Sequence, residues 1–402
     1  MFIGFLSALN SLVYIGGRGR ALGASTQFDK QPHGRCMLSP MPRFLLSLLL
    51  ALVPACAATP CISATSACTE WVTLGGGPSR SMIYRTYSLD VRNEQITRAL
   101  VMIHGTNRDA DNYYRNALAS AFLGNALEDT VVIAPRIASH DRSCQDTLAP
   151  NEVSYSCGGD SWRSGGTASN NDKLTSFDFI DEVLRKLARK EIFPNLKHIV
   201  VAGHSAGGQF VNRYEMANQV HETLGVPVSY IVANPSSYAY PDNTRPTPAD
   251  WPVNAGAPGY VPSPEAGRGG RGGAGGETAG GAVFRPFGDG RNCTTYDQWP
   301  YGFEHRSGYT ARLTDEQLKK QLASRPTTYL VGELDILPLG GFDSSCPAMA
   351  QGPTRLARGL AFNKFVNQKL GAHQEAVIIP ECGHNARCMF TDEKALPIVF
   401  PK

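Results

Sequence analysis

The run Val200-Val201-Ala202-Gly203-His204-Ser205-Ala206-Gly207-Gly208 carries a short β-branched segment into Gly-x-Ser-x-Gly, and a helix-like stretch follows. No other part of the chain restricts its fold so tightly. A strand that becomes a helix through one serine must turn sharply there, with the serine strained and its hydroxyl standing clear of the sheet. Residues two before and two after then run close to neighbouring backbone, so a Cβ at Gly203 or Gly207 would clash. The plain alternative is a glycine-rich turn with an incidental serine. The strand before it and the helix after it argue against that.

The surrounding chain alternates strands and helices. Trp71–Leu74 and Met82–Tyr87 read as two strands around Gly75-Gly76-Gly77-Pro78. Ala99–Ile103 and Val131–Ala134 are continuously apolar, as strands buried on both faces are, and a helix is expected between them from Asp109 to Leu123. Residues 138–174 are a polar excursion. Thr175 with Asp178 reads as a capping box, and Ile180, Val183, Leu184 and Leu187 recur at helical spacing behind it. The serine strand begins at His198, and Phe210, Tyr214 and Met216 ride on the helix that follows it. Val228–Asn234, Thr327–Val331 and Ala376–Ile379 are further strands, and Leu356–Leu370 is an amphipathic helix. The fold class predicted is α/β, a mostly parallel central sheet flanked by helices.

Residues 235–326 interrupt this alternation as an irregular cap insertion. Within it, eleven glycines fall among the 28 positions 254–281, a composition that cannot bury enough apolar area to offset chain entropy, so a disordered surface insert is expected there. Tyr296, Trp299, Tyr301, Phe303 and Tyr309 either line a pocket or pack this cap. Trp162, Tyr238 and Tyr240 likewise either shape a substrate site or pack the core.

Strand C-termini of a parallel sheet open on one edge, so residues far apart in sequence meet there. Ser205, Asp335 and His384 each follow a strand. A serine hydroxyl is a weak nucleophile unless an imidazole takes its proton, and the imidazole needs a carboxylate to fix its tautomer and stabilise its charged form. Asp335 is preferred over Glu333 and Asp343 because it ends a Gly-x-x-Asp turn. His384 is preferred over His373, which precedes its strand, and His204 reads as a packing residue. A developing oxyanion calls for backbone donors. Ala206 at the helix start is one candidate, and Thr106 or Asn107, after His104-Gly105, is the other.

These residues carry a resemblance. Over roughly residues 70–400 the chain resembles the α/β-hydrolase superfamily, whose triad runs in the order Ser, acid, His around such an elbow. On His104-Gly105, the Cys157…Ser161-Trp162 segment and the disulfide-like cysteines, it is similar to secreted esterases of the polyhydroxybutyrate-depolymerase and feruloyl-esterase type. The resemblance implies an enzyme hydrolysing carboxylic esters, small or polymeric, without a cofactor. The Gly-rich insert and the lack of a separate substrate-binding domain depart from those enzymes. The same triad cleaves amides, which makes a peptidase or amidase the second reading. A non-catalytic binding protein on the same scaffold is the third, although such a role would not require all three residues.

Residues 1–40 read as an extension outside the fold, with initiation expected at Met37 or Met41. Met41-Pro42-Arg43, the apolar run Phe44–Val53 and the small-residue exit Ala55-Cys56-Ala57-Ala58 have the layout of a secretory signal peptide at 41–58. Lipidation at Cys56 is a variant of that reading. A single domain is expected over 59–402. Of ten cysteines, Cys36 and Cys56 leave with the leader. The remaining eight are expected to pair in chain order in an oxidising compartment, secreted or periplasmic: Cys61–Cys68, Cys144–Cys157, Cys293–Cys346 and Cys382–Cys388. The chain has no Cys-x-x-Cys and no His-rich cluster, which argues against a zinc site. A net charge of +3 with no basic stripe argues against a nucleic-acid partner. After residue 60 no stretch has the apolar length of a transmembrane segment.

Overall fold

The computed structural model describes residues 58–141, 143–157, 161–246, 284–287 and 293–402. The expected extension 1–40, all but the last residue of the expected leader 41–58, and the Gly-rich insert 254–281 lie outside them.

Ten strands occur among the described residues: β1 (Thr69–Thr73), β2 (Arg80–Arg85), β3 (Arg98–Ile103), β4 (Thr130–Pro135), β5 (His198–His204), β6 (Val228–Ala233), β7 (Thr244–Pro246), β8 (Phe284–Pro286), β9 (Thr327–Gly332) and β10 (Glu375–Ile379). Eight of them form one sheet in the order β1-β2-β4-β3-β5-β6-β9-β10. β1 with β2 and β2 with β4 pair antiparallel, and every other pair is parallel. The six strands from β4 to β10 therefore end on a single edge.

The continuous apolarity of the inner strands has its cause in two cores. Side chains alternate across the pleat. Val101 and Ile103 of β3, Ile133 of β4, Val201 of β5 and Val232 of β6 enter one core. Leu100, Met102, Val132, Val200, Ala202 and Ile231 enter the other. The second core is closed by α1 (Ala110–Leu123), through Tyr114, Ala117 and Ala121, and by α7 (Ala386–Thr391) and α8 (Leu396–Val399). The first is closed by α2 (Ser176–Leu187), α3 (Ala206–Ala217), α4 (Asp315–Ser324) and α6 (Arg355–Leu370). The remaining helix, α5 (Cys346–Met349), is a single turn.

The expected cap box forms: Asp178 N–H donates to Thr175 Oγ1 at 3.2 Å, and Thr175 N–H to the Asp178 carboxylate at 2.8 Å. A second box, Thr314 with Gln317, starts α4, a helix within the stretch expected to be irregular cap. Only Leu318 and Leu322 of α4 are buried, so its apolar stripe is two residues wide and gives a weak periodic signal. The short helices α5, α7 and α8 are likewise additions to the expected pattern.

The described residues of 138–174 are irregular, with a 3-10 turn at Trp162–Ser164. β7 and β8, on either side of the Gly-rich insert, pair antiparallel as a separate ribbon. Disulfides join Cys61 to Cys68, Cys144 to Cys157, Cys293 to Cys346 and Cys382 to Cys388, the pairing in chain order. Among the described residues no helix is long and apolar enough to cross a membrane, and no cluster of three or more His, Cys, Asp or Glu side chains could hold a metal ion.

Candidate active site

Ser205 stands between β5 and α3 at φ 59° and ψ −119°, a left-handed conformation costly for a residue with a Cβ. Its N–H donates to the carbonyl of Ala233 on β6 at 2.9 Å, which ties the strained turn to the sheet. The flanking glycines are required by close approach. A Cβ on Gly203 would strike the Gly207 carbonyl. One on Gly207 would strike the carbonyl of Ile103 and lie 2.7 Å from that of His104.

Asp335 closes a turn after β9, its N–H donating to the Gly332 carbonyl at 3.1 Å. His384 follows β10 in the loop bridged by Cys382 and Cys388. The three side chains form one hydrogen-bonded line. His384 Nδ1 lies 2.8 Å from Asp335 Oδ2, and Nε2 lies 2.9 Å from Ser205 Oγ. A carboxylate only accepts, so Nδ1 carries the ring proton and Nε2 is left to accept from the serine hydroxyl. The alternatives are engaged elsewhere. Glu333 accepts from the N–H of Glu381 at 3.0 Å, and Asp343 from the Tyr301 hydroxyl at 2.8 Å. His373 precedes β10, at the far edge of the sheet.

Two further residues brace this line and are not foreseen from the sequence. Asn234, at the end of β6, accepts from the Gly332 N–H at 2.8 Å and donates to the Gly383 carbonyl at 3.4 Å, so one buried amide joins the acid turn to the base loop. Its own signal is slight: an asparagine just past a strand, tolerant of the positive φ it adopts, 44°. Arg355, on the first turn of α6, is wholly buried and points a guanidinium N–H at Asp335 Oδ1 over 3.3 Å. Burial pulls this guanidinium below its ordinary pKa, and the Asp335 charge opposes the shift.

His204 is buried beside the line, with its Nδ1 3.2 Å from the Tyr113 hydroxyl. Burial, then the neighbouring His384 and Arg355 charges, hold it well below the usual histidine range. It packs between Tyr113 and His384 at the floor of the elbow.

The three candidate oxyanion donors sit around Ser205. Ala206 is the first residue of α3, and Thr106 and Asn107 lie in the turn after β3. Among the described residues the backbone N–H groups of Thr106 and Asn107 have no acceptor. His104 governs this turn. Its Nε2 accepts from the Ile137 N–H at 3.3 Å, so its Nδ1 donates to the Gly105 carbonyl at 2.9 Å. In a trans peptide the N–H opposes the C=O, so this bond turns the Thr106 N–H away from His104. Burial lowers the His104 pKa to about 4, which keeps the tautomer in place near neutrality.

A cleft of about 530 Å³ opens over Ser205 and His384. Its walls are polar: Asn107, Asp109, Asn112, Asn116, Asn385 and Arg387 line it, with Tyr113 as the one phenol. The aromatic residues considered above pack elsewhere. Trp162 lies between His104 and Phe210, Tyr238 stacks on Phe362 while Tyr240 meets that ring edge to face, and Tyr309 caps Phe177.

The model of the Alpha/beta hydrolase family matches residues 100–396. No curated protein matches the chain in sequence. Among solved structures, poly(aspartic acid) hydrolase-1 from Sphingomonas sp. KT-1 is similar at a TM-score of 0.52 and 18% identity, over 82% of this chain and 98% of that one. A poly(3-hydroxybutyrate) depolymerase from Bordetella parapertussis is similar at a TM-score of 0.50 and 18% identity, over 83% and 94%. At this identity the likeness bears on the fold.

Proposed function

The chain belongs to the alpha/beta hydrolase family, and we propose that it is a serine hydrolase cleaving carboxylic esters through an acyl-enzyme. One observation carries this reading: the line from Ser205 through His384 to Asp335, at 2.9 and 2.8 Å, with the imidazole tautomer set for proton uptake. Ser205 Oγ attacks the ester carbonyl while His384 Nε2 takes its proton. Asp335 stabilises the imidazolium. The oxyanion is met by the N–H of Ala206 and that of Thr106 or Asn107, each contributing about 3 kcal/mol. Collapse expels the alcohol, protonated by His384. Water, activated by the same imidazole, then frees the acid and restores Ser205.

The polar walls of the cleft favour esters bearing hydrogen-bonding groups over long alkyl esters, since an alkyl chain would cover these amides without supplying hydrogen-bond partners. Export through the leader at 41–58 fits this enzyme, and the four disulfides support an oxidising compartment.

A fluorophosphonate probe tests the assignment. It is expected to label Ser205, while Ser205→Ala escapes labelling and loses turnover of p-nitrophenyl acetate. Turnover retained by Ser205→Ala refutes the mechanism. Binding without turnover in the wild type points to a scaffold used for recognition, and faster cleavage of a matched amide points to an amidase.

A further inference from the structure

We infer that Arg355 is the positioning residue of the acid–base pair, holding Asp335 in place and setting the basicity of His384 from behind. The inference rests on Ser205, Asp335 and His384 acting as the triad. Three bonds fix the guanidinium. Nε donates to Ser236 Oγ at 2.7 Å, one terminal nitrogen to Asp335 Oδ1 at 3.3 Å, and the other to the Gly340 carbonyl at 3.0 Å. Asp335 therefore has one oxygen on the guanidinium and the other on the imidazole, and its side chain is 1% exposed.

The Gly340 bond extends the same control to the base. Gly340 lies so close to His384 that a Cβ there would be 2.8 Å from Cδ2. A single planar group thus holds the carboxylate and also seats the loop that packs on the imidazole edge. Arg358, one turn further along α6, does not share this task. It bonds the carbonyls of Ser236, Gly352 and Asp343. An arginine suits the Arg355 position because its fork reaches three acceptors in fixed directions, which a lysine ammonium cannot do.

The electrostatic consequence has a definite sign. The charged or titratable groups around the His384 ring are Asp335 and Arg355 behind it, His204 against its face, and Asp109 and Arg387 on the cleft walls. Asp343 also acts on Arg355 through space, and Arg358 lies beside it. A buried cation on Asp335 offsets part of the attraction that the carboxylate exerts on an imidazolium. Without it that attraction is undiminished, and the acidic limb of the kcat/KM profile moves up.

The experiment compares Arg355→Met and Arg355→Lys with the wild type, turnover of p-nitrophenyl acetate being expressed per fluorophosphonate-reactive site. That normalisation removes any loss of folded protein. A wild type that does not react with the probe refutes the triad itself, not the role of Arg355. Arg355→Met is expected to lose about 100-fold in kcat and to shift the acidic limb upward by about one unit. Arg355→Lys, which keeps the charge, should leave the limb in place and lose about tenfold in kcat at unchanged KM. An unmoved limb in Arg355→Met, or turnover per site within twofold of wild type in Arg355→Lys, overturns the proposal. If Arg355→Met yields no folded protein, the Arg355→Lys result decides.

Discussion

The imidazole of His204 lies against that of His384, with ring centroids 4.6 Å apart and planes tilted by 38°. Two protonated rings at that spacing would repel, and burial holds His204 well below the usual histidine range. His204 is therefore held uncharged beside the His384 ring. His204→Phe should leave the acidic limb of the kcat/KM profile in place. A displacement beyond about half a unit would show that the two rings share the titration. The contrast with Arg355→Met, where movement is expected, separates a packing neighbour from a charged one.

Asp335→Asn would leave the carboxamide able to donate to His384 and so favour the wrong tautomer. Loss of about 10⁴-fold in kcat is expected, with KM little changed. Steady-state kinetics on p-nitrophenyl acetate measure it, and a loss smaller than tenfold would remove Asp335 from the mechanism.

Gly207→Ala should fail by a different route. Its methyl group would meet the backbone of Ile103 and His104 on the neighbouring strand, which no rotamer change relieves. The expected result is little or no soluble folded protein, judged by size-exclusion chromatography and circular dichroism. Gly76→Ala is the comparison. Its φ is +81° but nothing lies within 4 Å of the added carbon, so a backbone cost of about 1 kcal/mol and a folded product are expected.

Glu215 is buried within α3 behind the elbow, one oxygen 2.5 Å from Thr327 Oγ1 and the other 3.1 Å from Asn212 Nδ2. Desolvation raises its pKa to about 8. The folded state thus keeps a proton that the unfolded chain releases near the ordinary glutamate pKa. Stability contributed by this proton is complete at low pH, declines as pH rises above that ordinary value, and is lost above about 8. Asp181, raised to about 6 by burial, acts in the same sense over a narrower range. Glu215→Gln should therefore raise Tm by several degrees at pH 8 and hardly at pH 4.5. An equal effect at both would contradict a protonated Glu215.

The polar cleft predicts selectivity. Among p-nitrophenyl esters, acetate should exceed decanoate by about tenfold in kcat/KM. Preference for decanoate would indicate an apolar site that the walls around Ser205 do not offer.

The sheet was legible because its inner strands are apolar without interruption, and both cores demand that. Ser205 was legible for a related reason: an elbow constrains Gly203 and Gly207 by contact. Asp335 and His384 followed from strand order. Asn234 and Arg355 were not legible, because their roles depend on which loops meet at the sheet edge, and no local pattern records that. Helix α4 was missed because two leucines suffice to dock it. The aromatic residues of the cap suited a pocket as well as a core, and the structure packs them away from the cleft.

β7 and β8 pair as neighbours, which sets Pro246 directly opposite Phe284. The two ends of the intervening 37 residues (247–283) are thus already joined by the fold. The ribbon is a built-in docking port for protein engineering. A foreign peptide or small domain whose termini lie close together matches that spacing, and retained p-nitrophenyl acetate turnover after splicing it there is the expected outcome.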